Sequence, residues 1–212
     1  MWIDCHCHTR YSYDNWLEPS SLVRRALALG LDAVVITEHY SYEASQPVEA
    51  VGRDEGLLVL RGVEIATDAG HLLAYGVEDD GWNIWGQNQY LPLAKVVERI
   101  NALGGICVPA HPFREIGMAS LLEKIVDIGG LAGVETHNGG NLDSDNDLAI
   151  EAAGLMKLPS LGGSDCHKVD AVGRCATEFL QPVTDMASFI AAVRAGACRG
   201  AYYAPYRTAA AA

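Results

Sequence analysis

Five times along the chain a short apolar run ends in polar residues. These are WIDCHCH at 2–8, AVVITEH at 33–39, LLVLRGVEI at 57–65, ICVPAH at 106–111 and LAGVETHN at 131–138. Runs of this length and composition read as buried strands. Helical patterns lie between them: 19–30, opened by Pro19 with Ser20 or Ser21 near the cap, and 92–105, opened by Pro92 and closed by Gly104 and Gly105. Others cover 118–129, 142–156 and 184–195. The alternation predicts parallel strands with helices outside, and polar residues gathered at strand C-termini favour a barrel over an open doubly wound sheet. The segment 71–90 breaks the rhythm with one strand-like run and a loop rich in Gly, Asn and Trp, which reads as a lid.

The strand ends carry the chemistry. Six of the seven histidines stand there, His6, His8, His39, His111, His137 and His167, together with Glu64 and Asp165. A lone buried histidine is ordinarily a satisfied core residue, but six at corresponding places are not independent accidents. The period of two along a strand puts Asp4, His6 and His8 on one face of DCHCH and Cys5 and Cys7 on the other. Asp165 and His167 share the same spacing, with Cys166 pointing away between them. Imidazole and carboxylate suit open catalytic sites for Zn, Mn or Fe, whereas thiolate-rich sets suit closed structural zinc. Cys5-x-Cys7 on one strand does not converge on a tetrahedral ion, so the thiols are expected to pack. His71 falls outside the strand-end pattern, and a structural or loop-edge role is expected for it.

HCH near the N-terminus, ITEH, GVE, AHPFR, VETHN and GSDCHK followed by VGR resemble, in order and spacing over nearly the whole chain, the motifs of PHP (polymerase and histidinol phosphatase) domains. The resemblance implies an α/β fold, a distorted seven-stranded TIM-like (β/α) barrel with two or three divalent ions (Zn, Mn or Fe) at its C-terminal mouth. Carried over residue by residue, it implies one ion among His6, His8, Glu64 and Asp165, and a second among Glu64, His111 and His137 with Glu64 bridging. A third falls among Asp14, His39 and His167. It further implies a metal-dependent phosphoesterase in which a metal-bridging hydroxide attacks phosphorus in line. All nine positions are filled, which favours activity over a purely structural module.

Arg114 in AHPFR and Arg174 in AVGR are the expected phosphate binders, since a guanidinium grips phosphate through two parallel hydrogen bonds; surface ion pairing is the plainer alternative. Lys168 is a weaker candidate. Asp4 and Glu38, beside ligands, are expected to orient imidazoles. Trp82, Trp85 and Tyr90 either line a substrate pocket or anchor a loop.

The 212 residues make one domain the default, 1–207 with a fraying tail at 208–212. Six cysteines without a C-x-x-C pair, and no leader-like segment before DCHCH, give a cytoplasmic protein with free thiols as the expectation. No stretch is long and apolar enough for a bilayer. A formal charge of −12 repels nucleic-acid backbones and anionic membranes. The expected partner is therefore a small phosphorylated substrate, a phosphate monoester or nucleotide, with nucleic acid only as a short oligonucleotide. A 5′-to-3′ nuclease and a non-catalytic metal-stabilised module are the alternatives.

Overall fold

A computed structural model describes residues 1–86, 90–115 and 122–203. Five helices and nine strands are present among them. In chain order they are β1 (Trp2–Cys7), α1 (Pro19–Leu29), β2 (Ala33–Ile36), α2 (Gln46–Glu55), β3 (Leu58–Thr67), β4 (Gly70–Tyr75), α3 (Leu93–Ala102), β5 (Ile106–Pro109), β6 (Val134–Asn138), α4 (Asp143–Met156), β7 (Ser160–Gly163), β8 (Cys175–Phe179), α5 (Met186–Arg194) and β9 (Cys198–Tyr202). Pro19 opens α1, and Gly30 in the left-handed region closes it. Asp185 and Ser188 form a reciprocal capping box on α5.

The result is an α/β fold whose mixed sheet curls into a half-barrel, not the closed barrel expected. Seven strands form one sheet in the order β5-β4-β3-β2-β1-β8-β9, and β6 and β7 form a separate parallel pair. Only β1, β2 and β3 are parallel neighbours in the large sheet; β4, β5, β8 and β9 join antiparallel. The all-parallel expectation fails first at β3 and β4. Two residues, Asp68 and Ala69, separate them, too few for a crossover, so the first half of the supposed lid returns as a hairpin. Of the helix expected at 118–129, 118–121 lie outside the described residues and Leu122–Asp127 form a 3₁₀ turn. The expected tail at 208–212 is likewise outside them.

The β6-β7 pair approaches β5 and β1 through isolated bonds. The Ala132 amide donates to the Cys107 carbonyl at 2.9 Å, and the Asp165 amide to the His6 carbonyl at 2.7 Å. Glycine permits the second approach: a Cβ on Gly163 would lie 2.3 Å from the His6 Cβ and 2.6 Å from its backbone nitrogen.

The β1 register slips against β2 between Asp4 and Cys7, three residues facing two. This bulge undoes the strict two-face division of DCHCH. Cys7 packs, as expected, with Leu22, Val23 and Ala26 of α1. Cys5 instead joins Ile3, Val35, Leu73 and Val108 in the cluster on the other face of the sheet. All six cysteines are free and buried.

Substituting Gly163→Ala is expected to wedge β7 from β1 and destabilise the protein by about 1–3 kcal/mol, the usual cost of overpacking. Chemical denaturation checks this, and an unchanged midpoint contradicts the close approach.

Candidate metal centre

Glu64 is buried in the middle of β3 and five imidazoles surround its carboxylate. On Oε2 converge His8 Nε2 at 3.0 Å, His39 Nδ1 at 3.2 Å and His6 Nε2 at 3.5 Å. On Oε1 converge His71 Nδ1 at 2.9 Å and His111 Nε2 at 3.1 Å. Asp165 Oδ1 approaches His8 Nε2 at 3.5 Å and His6 Nε2 at 3.6 Å. Asp14 Oδ2 sits 3.3 Å from His39 Nε2 and 3.5 Å from His167 Nε2.

Three groups of ligand atoms follow among the described residues: His6, His8 and Glu64; Glu64, His71 and His111; Asp14, His39 and His167. The first has Asp165 against it. The second differs from the set expected from sequence, because His71 stands where His137 was placed. His71 is opposite Ala66 in the β3-β4 ladder, two residues beyond Glu64. His137 lies elsewhere: its ring meets Tyr202 edge-on at 5.2 Å, and its Nδ1 lies 2.9 Å from Thr136 Oγ1. The cause is a register irregularity in β6 between Glu135 and His137, which leaves Glu135 and Asn138, three apart, on the side of the centre. The H in GHLLAYG was visible in the sequence; the hairpin that returns it to Glu64 was not.

The donor chemistry fits divalent cations. Histidine nitrogens and carboxylate oxygens without thiolate make open sites for Zn, Mn or Fe. His6 Nε2 and His8 Nε2 face one another at 3.0 Å. Nitrogens this close, with carboxylates on the same point, are suited to share a cation.

The His6 and His8 rings are oriented from behind. His6 Nδ1 lies 2.9 Å from Glu135 Oε1, and Glu135 Oε2 accepts from the His111 amide at 2.7 Å and from Asn138 Nδ2 at 2.9 Å. The buried Glu135 thereby holds two candidate ligands, a role sequence reasoning missed although the residue stands in VETHN. His8 Nδ1 meets Ser12 Oγ at 3.2 Å, and Ser12 in turn donates to Glu38. Glu38 thus acts through Ser12. Asp4 does not reach the imidazole rings: its carboxylate accepts from the Ser164 amide at 2.8 Å and the Gly173 amide at 3.0 Å, pinning the loop that carries Asp165.

A cavity of about 380 Å³ opens over the centre, lined by His39, His71, His111, Asp165 and His167 and by Arg114, Asp14 and three tyrosines. The Arg114 guanidinium is fixed by Asp165 Oδ2 and Asn141 Oδ1 at 2.7 Å each and by Asn138 Oδ1 at 2.5 Å. Gly140 gives it room, since a Cβ there would stand 2.8 Å from Nη2. Arg174 is exposed and does not line the cavity, nor does Lys168. Trp82 is buried in the core and Trp85 packs against it, so of the three loop aromatics only Tyr90 reaches the cavity.

Burial alone would raise the Glu64 carboxyl, but the His6 charge and hydrogen bonds from His111, His6 and His71 hold it well below the usual range. Asp165 is lowered as well, by His6 and His111 against its own burial. Burial would lower His6, yet Glu135, Asp165 and Glu64 outweigh it and raise it well above an ordinary imidazole; His8 is raised too, against its burial, chiefly by Glu64. Burial dominates at His39 and lowers it to about 4.

With this geometry established, comparison with known proteins gives the class. The PHP domain family model matches residues 4–111, and the PHP-associated model matches 143–198. The chain belongs to the PHP family. It is 28% identical to an uncharacterized protein of Methanocaldococcus jannaschii over 170 residues, 75% of this chain and 94% of that one. It is 32% identical over 72 residues to a protein named a probable histidinol-phosphatase in Thermotoga maritima, a match spanning 31% of either chain. Among solved structures, PsfC from Pseudomonas syringae superposes with a TM-score of 0.74 at 17% identity, covering 99% of this chain and 95% of that one; this likeness concerns fold.

Two outcomes are expected. His71→Ala lowers the metal content of protein loaded with Mn or Zn by about one ion, whereas His137→Ala leaves it unchanged; elemental analysis after gel filtration distinguishes them, and the reverse result restores the His137 assignment. His6 and His8 are raised, so in the metal-free chain they hold a proton more firmly than an ordinary imidazole, whereas His39 is lowered and holds one less firmly. A cation needs the bare nitrogens, so binding is expected to release protons and to weaken as pH falls. Calorimetry at pH 7 in two buffers of different ionisation enthalpy reads this release, and buffer-independent heats contradict it.

Proposed function

We propose that this protein is a metal-dependent phosphoesterase that hydrolyses a small phosphorylated substrate, with His6, His8, Asp14, His39, Glu64, His71, His111, Asp165 and His167 as ligands of two or three divalent ions. The reading is supported above all by three ligand groups, two sharing Glu64 and the third touching it through His39, beneath a cavity that also holds a fixed arginine. Membership of the PHP family supports the class of reaction. Bound divalent cations supply a nucleophile from water at neutral pH and neutralise charge on a phosphoryl group.

The chain's own residues do the rest. Glu64 and Asp165, ionised through their histidine neighbours, keep the centre anionic and receptive to cations. Glu135 and the Ser12 to Glu38 relay fix the His6 and His8 rings so that their nitrogens need not reorganise on binding. Arg114, held by two asparagines and Asp165, presents a guanidinium at the cavity wall for phosphate oxygens. Among the described residues, those lining the cavity include no serine or cysteine, which accords with direct attack by water. The net charge of −12 supports a small substrate over a long nucleic acid.

Purified protein supplied with Mn or Zn is expected to release phosphate from monoesters. Arg114→Ala should lower kcat/KM by about 10- to 100-fold, the scale of a lost charged hydrogen bond. Silence with every metal and substrate, with His6→Ala altering only melting temperature, would establish a non-catalytic module instead.

A further inference from the structure

A second cavity, of about 350 Å³, lies away from the metal centre and shares no lining residue with the first. It opens where the chain leaves β4 for the turn Asp80–Trp82 and meets the end of α3, with Val77, Glu78, Trp82, Arg99 and Leu103 among its walls. His71 marks the metal end of β4, and Gly76 lies past the other, about 17 Å away at the rise of a strand. The volume suits a small molecule.

Two donors belonging to this lining have no acceptor. Trp82 Nε1 and Arg99 Nε are both buried and, among the described residues, without a hydrogen-bond partner. Native folds leave few such groups, because a buried N–H that gives up water and gains nothing is destabilising. Both side chains are held in place. Trp82 is 1% exposed and packs in the core cluster with Val77, Leu93 and Val96. Its turn is fixed from two sides: Asp79 accepts from the Gly81 amide at 2.7 Å, and Asp80 accepts from Ser41 Oγ at 2.7 Å and from the Tyr42 amide at 2.5 Å. Arg99 Nη2 donates to the Gly81 carbonyl at 3.1 Å, which holds the guanidinium across the gap between α3 and the turn.

The rim adds two further chemistries. Glu78 and Asp79 bring carboxylates, of which Asp79 is engaged by Gly81 and Glu78 is exposed. Among the described lining residues Arg99 is the one cation, so the lining is net acidic and a bare anion suits it poorly. Leu103 is 45% exposed and offers an apolar surface at the end of α3. An occupant that uses the whole cavity has an acceptor for the inner donors, a cation for the outer carboxylate and an apolar body. Water would meet the donors alone and leave Glu78 and Leu103 unused.

We infer that this cavity binds a small α-amino acid with an apolar side chain, its carboxylate accepting from Trp82 Nε1 and Arg99 Nε, its ammonium toward Glu78 and its side chain on Leu103. A carboxylate on a guanidinium nitrogen gains a charge-assisted hydrogen bond, and the indole N–H supplies a second donor at a fixed position. Binding is non-covalent and independent of the metals and of any reaction at the other end of β4.

Nuclear magnetic resonance of the full chain with nitrogen-labelled indoles reads this directly. The chain has four tryptophans, and the indole N–H signal lost in Trp82→Phe is that of Trp82. Should that variant fail to fold, replacing Trp2, Trp16 and Trp85 in turn identifies the same signal by elimination. Titration with alanine, leucine, methionine and phenylalanine is expected to move the Trp82 signal saturably with at least one of them. The amine lacking that amino acid's carboxylate and the acid lacking its ammonium should each bind about 10-fold more weakly or worse, the scale of a lost charged hydrogen bond. Arg99→Gln and Glu78→Gln, with folding checked by thermal melting, should weaken the amino acid to a similar degree, and Glu78→Gln should leave the deaminated acid unaffected. A Trp82 signal that none of the four moves overturns the inference and leaves water as the partner of the two donors. Equal binding of the deaminated acid overturns the zwitterion, and affinity unaltered by both glutamine variants overturns the placement. Turnover is not part of the readout, so failure of the phosphoesterase reading leaves this site standing, and loss of this site leaves that reading standing.

Discussion

One carboxylate in this molecule has five imidazole neighbours for its two oxygens. Glu64 divides its two oxygens between His6, His8 and His39 on one side and His71 and His111 on the other. Such crowding in a buried place is costly for a protein by itself, because charges taken from water need partners of good geometry on every side. It becomes reasonable when cations stand between the ligands. The rest of the fold serves this demand: β1 delivers two histidines, the hairpin after β3 returns a third, and the β6-β7 pair fits between β5 and β1 to deliver Asp165.

Most of the candidate ligands were legible in the sequence because strands that end in polar residues leave a periodic trace, and the order of the motifs made the family legible. It did not announce which histidine completes the second group. His71 sits in a run that reads as an ordinary strand, and its value comes from antiparallel pairing, a long-range fact that local pattern does not carry. His137 misled for the converse reason, since a single irregular register in β6 turns it toward Tyr202. The bulge in β1 similarly spoiled the clean division of Cys5 from the histidines, and the same small-residue spacing that hid β7 as GG is what lets it approach His6. Arg114 was readable beside its histidine; the two asparagines and the glycine that immobilise it were readable only in space.

Backbone conformation marks the same region independently of side-chain chemistry. Of the five non-glycine residues with positive φ among the described residues, Tyr40, Tyr90, His111 and Asp165 all line the cavity. Two of these, His111 and Asp165, are candidate ligands. Strain of this kind persists where surrounding structure over-determines it. Here Glu135 grips the His111 amide, and the His6 carbonyl and the Asp4-pinned loop grip Asp165.

The bond from the Asp165 amide to the His6 carbonyl ties two segments 159 residues apart in the numbering, whichever parts of the sheet form first. A chain folded only through β5 would own most of the imidazoles and still lack the strand pair that closes the space around them. Completion of the centre by Asp165 and His167 thus depends on a long-range contact, although two of the three ligand groups draw only on residues up to His111. A cation held there would act as a latch on the completed topology, favouring the closed arrangement over any partly assembled one by the free energy of its own binding.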